Sequence, residues 1–137
     1  MSNPFFLDTN VLLYATLQPG LRSEAARALL AQRGTISIQV LNEFANVAAR
    51  KLRRPWSEIT RTLAAIRVLC APPLPLTVAI HEAGIAIAGR TGYQLYDALI
   101  IAAALEAGCD TLFSEDMQDG QLIDSRLTIR NPFAGAA

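Results

Sequence analysis

At 137 residues the chain has room for one domain with a sizeable core of its own. It is 52% hydrophobic and 18% charged, which excludes disorder, and no apolar run reaches the roughly 18 residues that a membrane span needs. The formal charge is zero but unevenly placed: nine basic residues stand against three acids between Arg22 and Arg67, and seven acids against Arg126 alone between Tyr93 and Arg126. A basic half can meet a polyanion and an acidic half can hold a hard cation, although two solvated faces of opposite sign would look the same.

Pro4 to Leu7 is expected to form a short buried strand ending at Asp8. Asn10 or Thr9 can cap a helix over Val11 to Leu17, which Pro19-Gly20 ends. Alanine-rich Ser23 to Gln32 is helical, and Thr35 to Ile38 is a second strand. A helix follows from about Gln39 to Leu52, and Pro55-Trp56-Ser57 start another that runs to about Leu69. The prolines at 72, 73 and 75 exclude helix and lead into a short extended piece at Leu76-Thr77. Val78 to Gly89 is helical, Gly92 breaks the chain, and Leu95 to Ala107 is a strongly apolar helix closed by Gly108. Thr111 to Ser114 and Leu127 to Arg130 are the last strands, and residues 131–137 are expected to be a loose tail.

Strands alternating with helices, with no linker or repeat, predict one α/β domain over residues 1–137. Its central sheet should be mainly parallel, with four to five strands and helices on both faces, a three-layer α/β/α sandwich. Cys70 and Cys109 suggest no disulfide framework. The first apolar segment has no basic residues before it and is broken by Asp8 and Asn10, unlike a signal peptide. A reduced, cytoplasmic setting without a membrane is the expectation.

Four acids are out of place. Ligands of open parallel sheets bind at the carboxyl ends of the strands, where Asp8 and, just beyond Ser114, Asp116 both fall. Glu43 shares a helical stripe with Val40, Phe44 and Val47, so it faces inward or along the core's edge near the end of the second strand. Asp97 sits in the first turn of the apolar helix, with Ile100 and Ile101 following on its face. Each alone has a plain explanation as a turn, cap or dipole residue. Together they bring four carboxylates from separate elements toward one end of a sheet, in a chain whose only lysine is Lys51. Like charges so gathered raise one another's pKa unless a cation neutralises them. An all-oxygen set without His or Cys suits Mg²⁺ or Mn²⁺ and not zinc. The lone histidine, His81, reads as a surface or packing residue, and no glycine-rich phosphate loop is present.

"FLDTNVLLYA", "ISIQVLNEFANV" and "YDALIIAAALEAGCDTLFSEDMQDG" together resemble the PIN domain family, specifically the small ribonucleases of the VapC toxin type. Residues 50 to 78 carry no matching motif. Residue by residue, the resemblance implies Asp8, Glu43, Asp97 and Asp116 as catalytic and metal-binding acids, holding one or two Mg²⁺ or Mn²⁺ ions. Asp119 could contribute through water, while Glu115 should point away and be solvated. Asn10 and Ser114 are candidates to hydrogen-bond the ligands or metal water. The implied activity is metal-assisted hydrolysis of RNA phosphodiesters. Arg50, Lys51, Arg53 and Arg54, the densest basic run, could contact phosphates or could simply be a solvated helix end. The implied partners are an RNA substrate, a small antitoxin protein and a second copy of the chain, with Leu12-Leu13 or Leu29-Leu30 as possible interface surfaces.

Other readings fit less well. A phosphatase of the haloacid dehalogenase kind needs a second Asp where this chain has Asn10, and a later lysine. A receiver domain needs paired N-terminal acids and a lysine after a late strand. A PIN-like module that has lost catalysis and only binds a partner is opposed by retention of all four acids.

Overall fold

The computed structural model describes residues 4–135. In chain order the elements are β1 (Phe5–Leu7), α1 (Thr9–Thr16), α2 (Ser23–Leu30), α3 (Ile38–Arg50), α4 (Trp56–Leu69), α5 (Val78–Thr91), α6 (Leu95–Glu106), β2 (Thr111–Phe113), β3 (Leu122–Ile123) and β4 (Leu127–Arg130). The sheet order is β1-β2-β4-β3; β1, β2 and β4 are parallel and β3 runs antiparallel to β4. Alternation along each strand sends Phe6, Leu112, Leu127 and Ile129 into a dry core, all with no exposed surface.

The expected second strand does not form as such. Thr35 exchanges backbone hydrogen bonds with Phe5 and Leu7 at 2.9 and 3.0 Å, and Ser37 bridges Leu74 in parallel. The chain turns into α3 at Ile38, because the Ser37 side chain caps that helix by accepting from Val40 N. The extended piece expected at Leu76-Thr77 lies earlier, at Leu74, and Thr77 instead caps α5. Both bridges lengthen the parallel array beyond β1 without lengthening any strand.

α6 is apolar on every side, and Ala98 to Ala104 are all buried. It packs against α5 at close range: a Cβ on Gly84 would stand 2.6 Å from Leu99 Cδ2. No helix among the described residues is long and apolar enough to cross a membrane.

Three further expectations are corrected. The strand β3 was not foreseen; Asp124 and Ser125 both adopt positive φ (52° and 56°) and turn it back onto β4, a task usually signalled by Asn-Gly or Asp-Gly. The tail is not loose at Phe133, which is 3% exposed and packs edge-on against Tyr14 at 5.2 Å between ring centres; its last two residues, Ala136 and Ala137, lie outside the described residues. Leu12, Leu13 and Leu30 are core rather than interface, and Leu29 is half-buried against them. Cys70 and Cys109 are free and buried.

Candidate functional site

β1 and β2 are neighbours in parallel register, Leu7 beside Phe113, so the residues that follow each strand emerge side by side. Asp8 N still pairs with Phe113 O at 3.0 Å, which fixes the Asp8 backbone to the sheet. Its side chain, not that of Thr9 or Asn10, caps α1: Oδ1 accepts from Thr9 N at 2.7 Å. Oδ2 accepts from Ser114 Oγ at 2.7 Å and from Asn10 Nδ2 at 3.5 Å. Ser114, fully buried, also accepts from Asp116 N at 3.2 Å through the same Oγ. Asn10 Nδ2 reaches Asp116 Oδ2 at 3.1 Å, and Asn10 Oδ1 accepts from Glu115 N at 3.3 Å. Asp8 and Asp116 are thus clamped through two shared neutral side chains, Ser114 and Asn10.

Glu43 and Asp97 approach from two helices. Glu43, on α3, accepts from Thr9 Oγ1 at 3.0 Å and lies half-buried at the core's edge, while Val40 and Phe44 take the interior. Asp97, in the first turn of α6, accepts only from Gln94 Nε2, at 3.4 Å. All four acids line one open cleft of about 780 Å³. None belongs to a salt bridge among the described residues; the ion pairs there are Arg22–Glu115, Arg54–Glu58 and Arg90–Asp124.

Such a set is electrostatically strained. Burial drives the Asp8 carboxyl from 3.8 up to about 7, against the opposing hydrogen bonds from Ser114 and Thr9, with the Glu43 and Asp97 charges adding to the rise. Burial also raises Glu43, partly offset by Thr9 and reinforced by Asp97. Burial raises Asp97 in the same way, offset by Gln94 and reinforced by Asp116. Asp8 is only 3% exposed and has no cation beside it. A hard divalent cation meets the chemistry of this all-oxygen donor set and would reverse the three shifts. As the side chains stand, no group of three or more acids, His or Cys among the described residues is drawn tightly enough to hold an ion.

The other expected residues divide. Asp119 stands outside the cleft and spends Oδ1 on Asn131 N at 2.8 Å. Glu115 lies outside the cleft lining and is partly buried rather than free in solvent: it takes the Tyr14 hydroxyl at 2.7 Å and pairs with Arg22, whose guanidinium lies over the Tyr14 ring. Of the basic run only Lys51 lines the cleft. Arg50 donates to Asn46 Oδ1, and Arg54 is engaged by Glu58 and the Leu17 carbonyl; Arg53 is exposed at φ 57°. His81 is exposed on α5.

Sequence reasoning missed Thr9, which serves Asp8 with its N–H and Glu43 with its hydroxyl. It also missed the polar stripe Gln39, Asn42, Glu43 and Asn46, which lines the cleft from α3. The i, i+3, i+4, i+7 spacing of that stripe was legible but was overshadowed by the apolar one beside it.

Comparison with known proteins agrees with this arrangement. The family model described as PIN domain matches residues 5–118, a span that holds all four acids. Among solved structures, a toxin–antitoxin complex from Klebsiella pneumoniae is similar at TM-score 0.69 and 22% identity, over 93% of this chain and 96% of that one. VapC20 of Mycobacterium tuberculosis, a sarcin-ricin loop cleaving toxin, is similar at TM-score 0.67 and 21% identity, over 82% and 91% of the two chains. VapBC2 from Rickettsia felis, bound to a DNA fragment from its promoter, gives 0.66 and 18%, over 93% and 97%. At such identities these likenesses show the fold. No curated protein sequence matches significantly.

Proposed function

The chain belongs to the PIN domain family, and from that premise we propose that it is a Mg²⁺- or Mn²⁺-dependent endoribonuclease, the toxin of a toxin–antitoxin pair. The observation that carries this reading is the convergence of four carboxylates, without a salt-bridge partner among the described residues, in one cleft at the carboxyl ends of parallel strands. Asp8, Asp97 and Asp116 would hold the cation, with Glu43 as a fourth ligand or as the group that orients water. Bound there, the ion supplies Lewis acidity that lowers the pKa of water and stabilises charge on the phosphodiester oxygens.

The chain's own residues do the rest. Ser114 and Asn10 fix the directions of Asp8 and Asp116 before substrate arrives, which lowers the reorganisation needed at reaction. Glu43, with its Oε2 held by Thr9, is suited to orient the attacking water. Lys51 is the one cationic side chain in the cleft lining and is suited to a phosphate of the substrate. A small antitoxin protein is the partner inferred from the two toxin–antitoxin complexes among the similar structures. A second copy of the chain belongs to the same reading.

The test is cleavage of single-stranded RNA by the purified protein, with added Mg²⁺ or Mn²⁺ against EDTA, and by Asp8→Asn. The wild type is expected to cut only with the cation, and Asp8→Asn not to cut. Cleavage that persists equally in EDTA or in the variant overturns the mechanism.

A further inference from the structure

We propose that the outer part of the cleft is a nucleobase subsite, in which the Tyr96 ring stacks on one unpaired base and Asn42 reads its edge. The inference rests on the ribonuclease reading and names the side chains that would hold one base of that RNA.

Tyr96 is 55% exposed although it lies on a helix whose next buried stretch begins only two residues later. It lines the cleft beside Asp97, so a base stacked on it brings its own phosphate next to the carboxylates. Six of the chain's eleven carboxamides line the same cleft. Four are committed to local partners: Asn10 to Asp116, Gln39 to Glu43, Asn46 to Arg50 and Gln94 to Asp97. Asn42 and Gln18 are exposed and have no such commitment among the described residues, and of the two only Asn42 adjoins one of the four acids in the chain. It stands on α3, one residue before Glu43, and so borders the acids from a second helix.

Charge argues for this division. Four carboxylates face a single lysine in the cleft, so phosphate pairing alone offers little attraction there. Stacking on an aromatic face needs no charge and tolerates any base, and a free carboxamide can meet a base edge with a donor and an acceptor together. A base inside a duplex has both faces covered, so only an unpaired one can use the ring.

The test measures binding of a short fluorescein-labelled single-stranded RNA of randomised sequence, by anisotropy in Mg²⁺. The starting protein carries Asp8→Asn so that the RNA stays intact. Adding Tyr96→Ala is expected to weaken binding by about tenfold, and adding Tyr96→Phe to leave it nearly unchanged. The Tyr96→Ala loss should vanish with an oligonucleotide of the same length that lacks its bases, a readout that misfolding would not reproduce. With Asp8 restored, Tyr96→Ala should raise KM and leave kcat within a few-fold. Equal binding by the alanine variant, an equal loss on the baseless oligonucleotide, or no RNA binding by the starting protein overturns the subsite. RNA cleavage indifferent to Tyr96 removes the subsite and keeps the nuclease; Tyr96-dependent binding without any cleavage keeps the subsite and removes the nuclease.

Discussion

The floor and the walls of the cleft are built differently. On the floor, Asp8 and Asp116 follow adjacent strands and are tied together through Ser114 and Asn10 at 2.7 to 3.5 Å. On the walls, Glu43 has Thr9 and Gln39, and Asp97 has only a 3.4 Å contact from Gln94. The floor is fixed by the sheet and by fully or nearly buried neutral groups, so Asp8 stays where it is even when burial costs it its charge. The walls are half-buried and lightly held, so they can adjust to a cation or substrate. A site of this kind divides its supports by element: strand ends carry the floor, and helices carry the walls.

The strongest way to break that contrast is to remove charge from the floor. On the proposed mechanism, Asp8→Asn removes one ligand of the cation and is expected to lower RNA cleavage by about 10³-fold or more. The same change should stabilise the cation-free protein at neutral pH. Asp8 has a folded pKa of about 7 against 3.8 for the free side chain, so its protonated form favours the fold at low pH, and this contribution is lost as pH rises through 7. In EDTA, wild-type stability by urea unfolding should fall by roughly 2 to 3 kcal/mol between pH 5 and pH 8 on this account. Asp8→Asn should flatten that slope. An unchanged slope in the variant would show that Asp8 is not the titrating group.

Smaller changes sharpen the difference between floor and wall. Ser114→Ala removes a hydrogen bond to Asp8 and one from Asp116 N, and should weaken Mn²⁺ binding by about 10- to 100-fold in a calorimetric titration. Gln94→Ala removes only the long contact to Asp97 and should change that affinity by less than about tenfold. Equal effects of the two would mean that floor and wall are held alike. Smallest is Arg22→Ala. Its ion pair with Glu115 is partly exposed and lies beside the cleft rather than in it, so unfolding stability should change less than with any substitution above.

Legibility followed the same division. Helix bounds were close throughout, because Ser37 and Thr77 cap α3 and α5, Pro55 opens α4, and α6 carries an unbroken apolar run. The four acids could be picked out because each breaks a local apolar pattern. What failed depended on partners distant in the chain. Thr35 to Ser37 has strand-like residues, yet the Ser37 cap ended the extended run early. Phe133 reads as part of a short tail with proline and glycine, and only its contact with Tyr14 makes it core. Glu115 looked solvated since neither Arg22 nor Tyr14 is near it in sequence. The basic run looked like one patch, whereas each side chain met a different fate.

The sequence by itself therefore determined the alternation of strands and helices, and the presence of four carboxylates where apolar side chains were expected. Both are local properties, set by periodicity and by the cost of burying charge. Only the tertiary structure decided that β1 and β2 are neighbours, so that Asp8 and Ser114, 106 residues apart, share a hydrogen bond. Only it decided that Thr9 serves two acids, and that Tyr96 stands open at the mouth of the cleft beside them. The reason is physical: strand order and helix docking are settled by packing the whole core, and no single segment contains that information.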